Sequence, residues 1–388
     1  MSVSPTAFLT DEQQSFAKAV DDFCARELGS REAIDRATGG GEREHAEELY
    51  RKMAELGWLG VIVPEEYGGS ASAGNPGIRD MVVFLDHTMQ GLAPIAGVST
   101  TFIAAAAYAK FAPEEMKREV LSGVVAGNPL SISMSEPGAG SDVAALQCKA
   151  EKVGDEWVIN GQKTWCSNAH FATSILLVAR TSREGGKHEG ISMFHVPTDT
   201  PGLQITGIDT MGGREVNDLY FTDVRLPGSA LIGEEGQGWG QLVTGLNIER
   251  LILAAQQLGL AQLAFDMCLK FLREREQFGR PIGTFQALRH RMADLATEIE
   301  ATRLLVYSVA AKVDADPTAL FPREASMAKL KATELSKRVT LDCMQSMGGY
   351  GYATEYGMER LVRLSLVSSI YGGTNEIQRD IIGKTYGL

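Results

Sequence analysis

The chain has 388 residues, 44% of them apolar and 22% charged, with a formal net charge of −12. That balance fits a soluble globular protein with more than one subdomain and excludes disordered and fibrous classes, while the acidic excess argues against nucleic acid as a partner. Apolar stretches such as 102–108 and 251–255 are far shorter than a membrane span, and the N-terminus has no basic start before an apolar run, so no membrane partner and a cytoplasmic location are expected.

From Asp11 to about Gly127 the pattern is helical. Phe16, Ala19, Val20 and Phe23 recur at helical spacing, and Thr10 before Asp11 and Glu12 reads as an N-cap. The Pro64-Glu-Glu-Tyr-Gly-Gly69 segment interrupts the helices. Between Pro129 and Gly236 the chain changes to short runs rich in Val, Ile, Phe and Trp, as at 157–159, 174–180 and 191–196, and these predict a β domain. Asn160-Gly161, flanked by Trp157-Val-Ile and Thr164-Trp-Cys, predicts a type I′ hairpin, because both central residues must take positive φ.

From about Gln241 the helical period returns, with Leu251, Ala254, Ala255, Leu258, Ala261, Phe265, Cys268 and Leu272 on one face. This helix is apolar on more than one side, as central or interface helices are. Residues 286–311 and 323–345 also read as helices, so the last third is a bundle. Surface loops are expected at 183–188 and 314–317. The expected boundaries are 1–127 for an N-terminal helical domain, 128–238 for the β domain and 239–388 for the bundle. Cys24, Cys148, Cys166, Cys268 and Cys343 are scattered and never spaced Cys-x-x-Cys, which suggests reduced, mostly buried thiols. His170 and His290 lack metal-ligand spacing, so no metal is expected.

The functional reading rests on Ser135-Glu-Pro-Gly-Ala-Gly-Ser-Asp142, Asn160-Gly-Gln-Lys-Thr-Trp-Cys-Ser-Asn168, Arg275-Glu-Gln-Phe-Gly-Arg-Pro-Ile282 and Ile370-Tyr-Gly-Gly-Thr-Asn-Glu-Ile-Gln-Arg379. In this order and spacing, from about residue 10 to the C-terminus, the chain resembles the acyl-CoA dehydrogenases. The resemblance implies an α+β fold: an N-terminal helical domain, a central β-barrel and a C-terminal four-helix bundle that builds a dimer of dimers. It also implies FAD, an acyl-CoA thioester substrate, and an electron-transferring flavoprotein as partner.

Flavin chemistry needs hydrogen bonds to the ring rim, a wall against its face and donors for the pyrophosphate. By resemblance, the Met134 N–H and Ser135 hydroxyl serve the pyrimidine side, Trp165 packs on the ring and Ser167 bonds near N5. A core aromatic on a half-buried strand is the other reading of Trp165. Gly140 permits close backbone approach, and Ser141 lies near both flavin and the CoA arm. Arg275, Phe278 and Gln286 match residues that reach the FAD of a neighbouring subunit, where a planar guanidinium suits a pyrophosphate. An exposed arginine is otherwise solvated surface. Gln345, Gly348, Gly349, Thr374 and Glu376 resemble the adenosine and phosphate contacts.

Dehydrogenation removes an α proton while the β hydride passes to flavin N5, so a base must stand across the substrate from the flavin. A carboxylate in a dry pocket suits this, because desolvation raises its proton affinity. Most relatives place that glutamate where this chain has Gly372, whose backbone N–H still serves to polarise the thioester carbonyl. Isovaleryl-CoA and long-chain enzymes carry the base on a helix in a context like Leu246-Asn-Ile-Glu-Arg-Leu251, which points to Glu249. The alternative is a salt-bridging surface acid, and Arg250 could be its ion-pair partner. Asn247, Arg250 and Tyr371 are the further expected acyl-CoA contacts.

A glycine in the loop would widen the pocket, so branched, long or ring-bearing acyl groups are expected. Two other readings keep the fold: a flavin-dependent oxygenase, and a non-catalytic subunit of a heterotetramer. Arg363-Leu-Ser-Leu366 and Arg214-Glu-Val-Asn217 depart from the family pattern.

Overall fold

The computed structural model describes residues 9–39 and 45–388. The first eight residues of the expected N-terminal domain therefore lie outside the described residues. The chain forms two compact units, one from residues up to Ala33 with Ile78–Ala93 and Glu249–Leu388, the other from Ile34–Gly77 and Pro94–Ile248.

In chain order the first helices are α1 (Asp11–Leu28), α2 (Arg31–Thr38), α3 (Glu47–Glu55), α4 (Ile78–Gln90), α5 (Val98–Phe111) and α6 (Glu114–Val125). The Thr10 hydroxyl accepts from the Gln13 N–H while the Thr10 N–H donates to Gln13 Oε1, so α1 begins in a full capping box. The Pro64 segment forms a single 3₁₀ turn at Glu65–Tyr67.

The strands are β1 (Leu130–Ser133), β2 (Lys149–Val153), β3 (Glu156–Ser167), β4 (Ser174–Arg180), β5 (Ile191–Pro197), β6 (Leu203–Thr210), β7 (Gly213–Pro227) and β8 (Leu231–Ile232). They form one mixed sheet in the order β6-β7-β3-β2-β4-β5-β8, with β1 parallel to β4. Trp157, Ile159, Ile175, Leu177, Phe194, Val196, Leu219 and Val224 make one core of this unit. Val63, Ala104, Tyr108, Leu121, Val178 and Met193 make another, joining α5 and α6 to the sheet.

The hairpin expected at Asn160-Gly161 is absent, because β3 runs straight through those residues. Its register with β7 shifts between Ile159 and Gly161. Asn160 Nδ2 bonds the Asp223 carboxylate at 3.0 Å and Asn160 Oδ1 accepts the Asp223 N–H at 2.9 Å. Gly161 takes φ +146, and a Cβ there would stand 2.7 Å from Cys148 Cα. The dipeptide is thus a β-bulge that lets two strands approach, and the tight turn lies at Gly154-Asp155, between β2 and β3.

The C-terminal elements are α7 (Gly238–Glu274), β9 (Glu276–Gln277), β10 (Arg280–Pro281), α8 (Gln286–Ala315), α9 (Pro322–Met347), α10 (Gly349–Tyr352), α11 (Met358–Val367) and α12 (Asn375–Thr385). α9 packs on α8, α11 and α12, and α4 packs on α1 and α8. Leu251, Ala254, Ala255, Leu258, Ala261, Cys268 and Leu272 of α7 are all buried. By length and composition alone α7 is long and apolar enough to cross a membrane, but 72% of its most apolar window is buried within the fold.

A polar knot ties α4, α7 and α8. Asp86 Oδ2 accepts from the Tyr307 hydroxyl at 2.9 Å and from Arg303 at 3.2 Å, while Arg303 also donates to Gln262 Oε1 at 2.7 Å. The α4 backbone passes so close to α7 that a Cβ at Gly259 would stand 2.2 Å from the Asp86 carbonyl oxygen. The loop expected at 314–317 begins later, because Asp314 lies in the last turn of α8. Its carboxylate accepts the Ile78 and Arg79 N–H groups at 3.0 and 3.2 Å and the Arg79 Nε at 2.7 Å, capping α4 from a distant element. All five cysteines are free and buried.

Candidate active site

In the β unit the expected ring-side residues gather where β1 ends beside the β3–β7 bulge. Lys163 has no exposed surface and its Nζ donates to the Met134 carbonyl and to Glu136 Oε1, each at 2.8 Å. Glu136 in turn accepts the Gln147 and Cys148 N–H groups at 2.6 and 2.8 Å. The buried pair thus has its remaining acceptors filled, as a buried charge requires. The Thr164 N–H donates to the Ser135 carbonyl at 2.9 Å, fixing the 134–136 corner against β3.

The β3–β7 register shifts again between Lys163 and Cys166. Trp165 sits there at φ +58 and is 60% exposed. A bulky residue in the left-handed region is costly, and a large exposed aromatic there is unlike a core side chain. The core-aromatic alternative is therefore wrong, since the bulge turns the indole outward. Ser131 Oγ donates to the Ser167 carbonyl at 2.6 Å and lies 3.2 Å from Cys166 Sγ. The buried Asn217 amide donates to the Cys166 carbonyl at 3.0 Å and meets His170 Nδ1 at 3.2 Å. Asn217 thus explains the altered Arg214–Asn217 stretch as a clamp on the bulge. The Ser135 and Ser167 hydroxyls have no protein partner among the described residues. Gly140 and Ser141 are exposed, and a Cβ at Gly140 would meet open space.

In the helical unit, Glu249 lies on α7 next to the buried Arg250; Asn247, also buried, lies on the part of α7 that belongs to the other unit. The glutamate is half-buried by its surface, yet the atoms around it are dense enough for desolvation to push its carboxyl above the usual range. That effect outweighs the opposing pull of Arg250 and Lys329. Among the described residues Glu249 forms no salt bridge, so it is not the surface ion pair of the alternative reading.

Gly372 adopts φ +62, and a Cβ there would stand 2.2 Å from Leu253 Cδ1 and 3.6 Å from Glu249 Oε1. The Glu249 carboxylate therefore occupies the space next to a side chain that position 372 lacks. The Gly372 and Gly373 carbonyls each accept from Gln378 Nε2 at 3.0 Å. Lys329 Nζ donates to the Gly373 carbonyl at 2.9 Å and to Asn375 Oδ1 at 3.0 Å, and Thr333 Oγ1 donates to the same Asn375 oxygen at 3.0 Å. With both carbonyls turned inward, the Gly372 N–H has no partner among the described residues. Gln257 Nε2 donates to the Tyr371 hydroxyl at 3.3 Å. Ser365, within the altered Arg363–Leu366 stretch, is buried and pairs with Thr340 Oγ1 at 2.9 Å, a hydroxyl contact between α11 and α9.

Of the other expected cofactor residues, Arg275, Phe278, Gln286, Gln345, Gly348 and Gly349 follow the C-terminal ends of α7 and α9 or lie close to them in sequence, and Thr374 and Glu376 lie at the start of α12. The Arg275 guanidinium lies 5.0 Å over the Tyr350 ring, and Tyr350 follows the exposed Gly348 and Gly349. Phe278, in the turn between β9 and β10, has φ +54 and is 93% exposed. Gln286 and Gln345 are exposed as well. Thr374 caps α12 by accepting the Ile377 N–H at 3.3 Å, and the exposed Glu376 follows it. A cavity of about 470 Å³ beside them is lined by Lys337, Ser369, Thr374, Asn375, Glu376 and Arg379, among others.

Comparison with known proteins decides what such a site belongs to. Residues 10–128, 131–224 and 236–387 match, in turn, the N-terminal, middle and C-terminal domains of acyl-CoA dehydrogenase. A probable acyl-CoA dehydrogenase of Bacillus subtilis, YngJ, is 38% identical over 381 residues, covering 97% of this chain and 98% of its own. The chain belongs to the acyl-CoA dehydrogenase family.

A mitochondrial 2-methylacyl-CoA dehydrogenase of Solanum tuberosum is 33% identical, over 98% of this chain and 92% of its own. The crystal structure of an acyl-CoA dehydrogenase from Geobacillus kaustophilus superposes with a TM-score of 0.89 at 32% identity, covering 98% of this chain and 99% of that one. This acyl-CoA dehydrogenase is accordingly an FAD-dependent oxidoreductase that acts on the CH–CH bond of acyl-CoA. The residues in hand fit that cofactor: an outward indole on a strained bulge, serine hydroxyls without protein partners, and open backbone at Gly140.

Sequence reasoning missed Lys329, Gln378 and Leu253. Lys329 carried a readable signal, since it falls on the same buried face of α9 as Ala325, Ala328, Ala332 and Ser336. A lone lysine among small buried residues marks a paired internal cation.

Proposed function

We propose that Glu249 is the base that removes the substrate α proton, on the helix rather than in the loop. The observation that carries this reading is Glu249 Oε1 standing 3.6 Å from where a Cβ at position 372 would be, so that the helix carboxylate borders the place of a loop side chain. Burial supports it by raising the proton affinity of the carboxylate. The Gly372 N–H donates to the thioester carbonyl and stabilises the charge that develops as the α proton leaves. Bound FAD supplies the hydride acceptor.

Met134, Ser135, Trp165 and Ser167 hold the ring, and Gly140, Ser141, Thr374 and Glu376 hold the ribityl and phosphate parts. Arg275, Phe278, Gln286, Gln345, Gly348 and Gly349 reach the FAD of a neighbouring protomer, which accounts for the exposure of most of them in one chain. Asn247, Arg250, Ser141 and Tyr371 contact the acyl-CoA. The assembly is a homotetramer that passes electrons to an electron-transferring flavoprotein in the cytoplasm. Its functional divisions are 1–127, 128–238 and 239–388.

Branched, long or ring-bearing acyl groups are the substrate class, because the loop carries no side chain at 372 and the place beside Glu249 is bordered by the apolar, rotatable Leu253. The relative that acts on 2-methylacyl-CoA supports this class. The test is Glu249→Gln in the flavin-loaded enzyme, followed by anaerobic bleaching of the flavin with straight, branched and ring-bearing acyl-CoA. Bleaching slowed by about 10²–10⁴-fold with FAD retained is expected. Bleaching at the wild-type rate refutes the assignment.

A further inference from the structure

Lys329 is fully buried on α9, where an ammonium ion is costly unless it is well bonded. Its bonds go to the neutral Gly373 carbonyl and Asn375 Oδ1. Asn375 is also buried, and its oxygen is shared with Thr333, so Lys329 and Thr333 together fix the start of α12. The loop so gripped is the one whose Gly372 lies beside Glu249.

We propose that Lys329 is a positioning residue for the dehydrogenation: its ammonium clamps the 372–375 loop, aims the Gly372 N–H, and sets the charge field around Glu249. The inference rests on the reading of Glu249 as the base.

The charges acting on this ammonium are Glu249 and Arg250 from α7 and Glu376 from α12. Burial brings Lys329 down to about 8, against the pull of Glu249 and Glu376 and with the push of Arg250. Conversely, Lys329 and Arg250 pull the Glu249 carboxyl downward against its burial. A lysine that merely filled space would leave these protonation equilibria unchanged when replaced.

The experiment follows kcat/KM against pH for the flavin-loaded wild type, Lys329→Met, Lys329→Arg and Glu249→Gln. Removing the cation in Lys329→Met is expected to move the acid limb upward by about half a unit or more. It should also lower kcat by roughly tenfold, with FAD still bound. Lys329→Arg restores the acid limb.

An unmoved acid limb in Lys329→Met, with Glu249→Gln inactive, overturns the role of Lys329 and leaves the base assignment standing. Turnover by Glu249→Gln overturns both. Should Lys329→Met fail to fold, Lys329→Arg decides. An arginine keeps its charge, so an alkaline limb at about 8 in the wild type moves up in the variant, and an alkaline limb that stays in place overturns the proposal.

Discussion

A carboxyl at position 249 faces opposing influences, burial that raises its proton affinity and the cations Arg250 and Lys329 that lower it, and burial prevails. If Glu249 is the base proposed above, it works only when ionised, and its raised pKa places the acid limb of kcat/KM above the ordinary carboxylate value. Activity is lost as pH falls through that limb, and a limb at or below the value of a free glutamate would contradict the burial. The neighbouring glycine is constrained in a different way. A methyl at Gly372 would meet Leu253 Cδ1 at 2.2 Å with φ at +62, so Gly372→Ala should cost about 1–3 kcal/mol of stability. Leu253→Ala leaves a cavity of its own but removes that clash, so a double-mutant cycle by denaturant unfolding should give a favourable coupling of about 1 kcal/mol. Strict additivity would show that backbone strain alone accounts for the glycine.

Elements in this fold are often fixed by partners distant in sequence, and this governs what could be read in advance. The Thr10 N-cap was legible because the donor that its hydroxyl serves lies only three residues on, at Gln13. Asn160-Gly161 misled because its partners are distant in sequence: Asp223 on β7 and Cys148 just before β2. The local rule saw a turn where tertiary pairing makes a bulge. The family was legible from the order of its motifs, but the outward pose of Trp165 was not, since it follows from the β3–β7 register shift. Asp314 is a further case: it looks like a loop acid, yet its carboxylate side chain is covered and caps α4. Asp314→Ala should therefore destabilise the chain by about 2–3 kcal/mol, with Asp314→Asn recovering part of the loss as an alternative cap. Thermal unfolding of the variants checks this, and a change below about 0.5 kcal/mol would mean that water satisfies the α4 N-terminus equally well.

For the whole molecule, the exposure of Phe278, Gln345, Gly348 and Gly349 in one chain requires an explanation that a single subunit does not supply. A phenylalanine that is 93% exposed at φ +54 is costly unless something covers it. If Arg275 and its neighbours serve the FAD of a second protomer, a site is assembled from two chains, and two different defects can complement each other. Arg275→Ala and Glu249→Gln should each be nearly inactive as homo-oligomers. In a mixed pair, the protomer bearing Arg275→Ala keeps its own Glu249 and receives an intact Arg275 from its partner, while the other site carries both defects. Random pairing of equal amounts, unfolded and refolded together, should then restore roughly a quarter of the wild-type sites. A mixture that stays as inactive as its parents, although mixed oligomers form, would mean that Arg275 serves its own chain, and the exposed surface at the end of α7 would need another occupant.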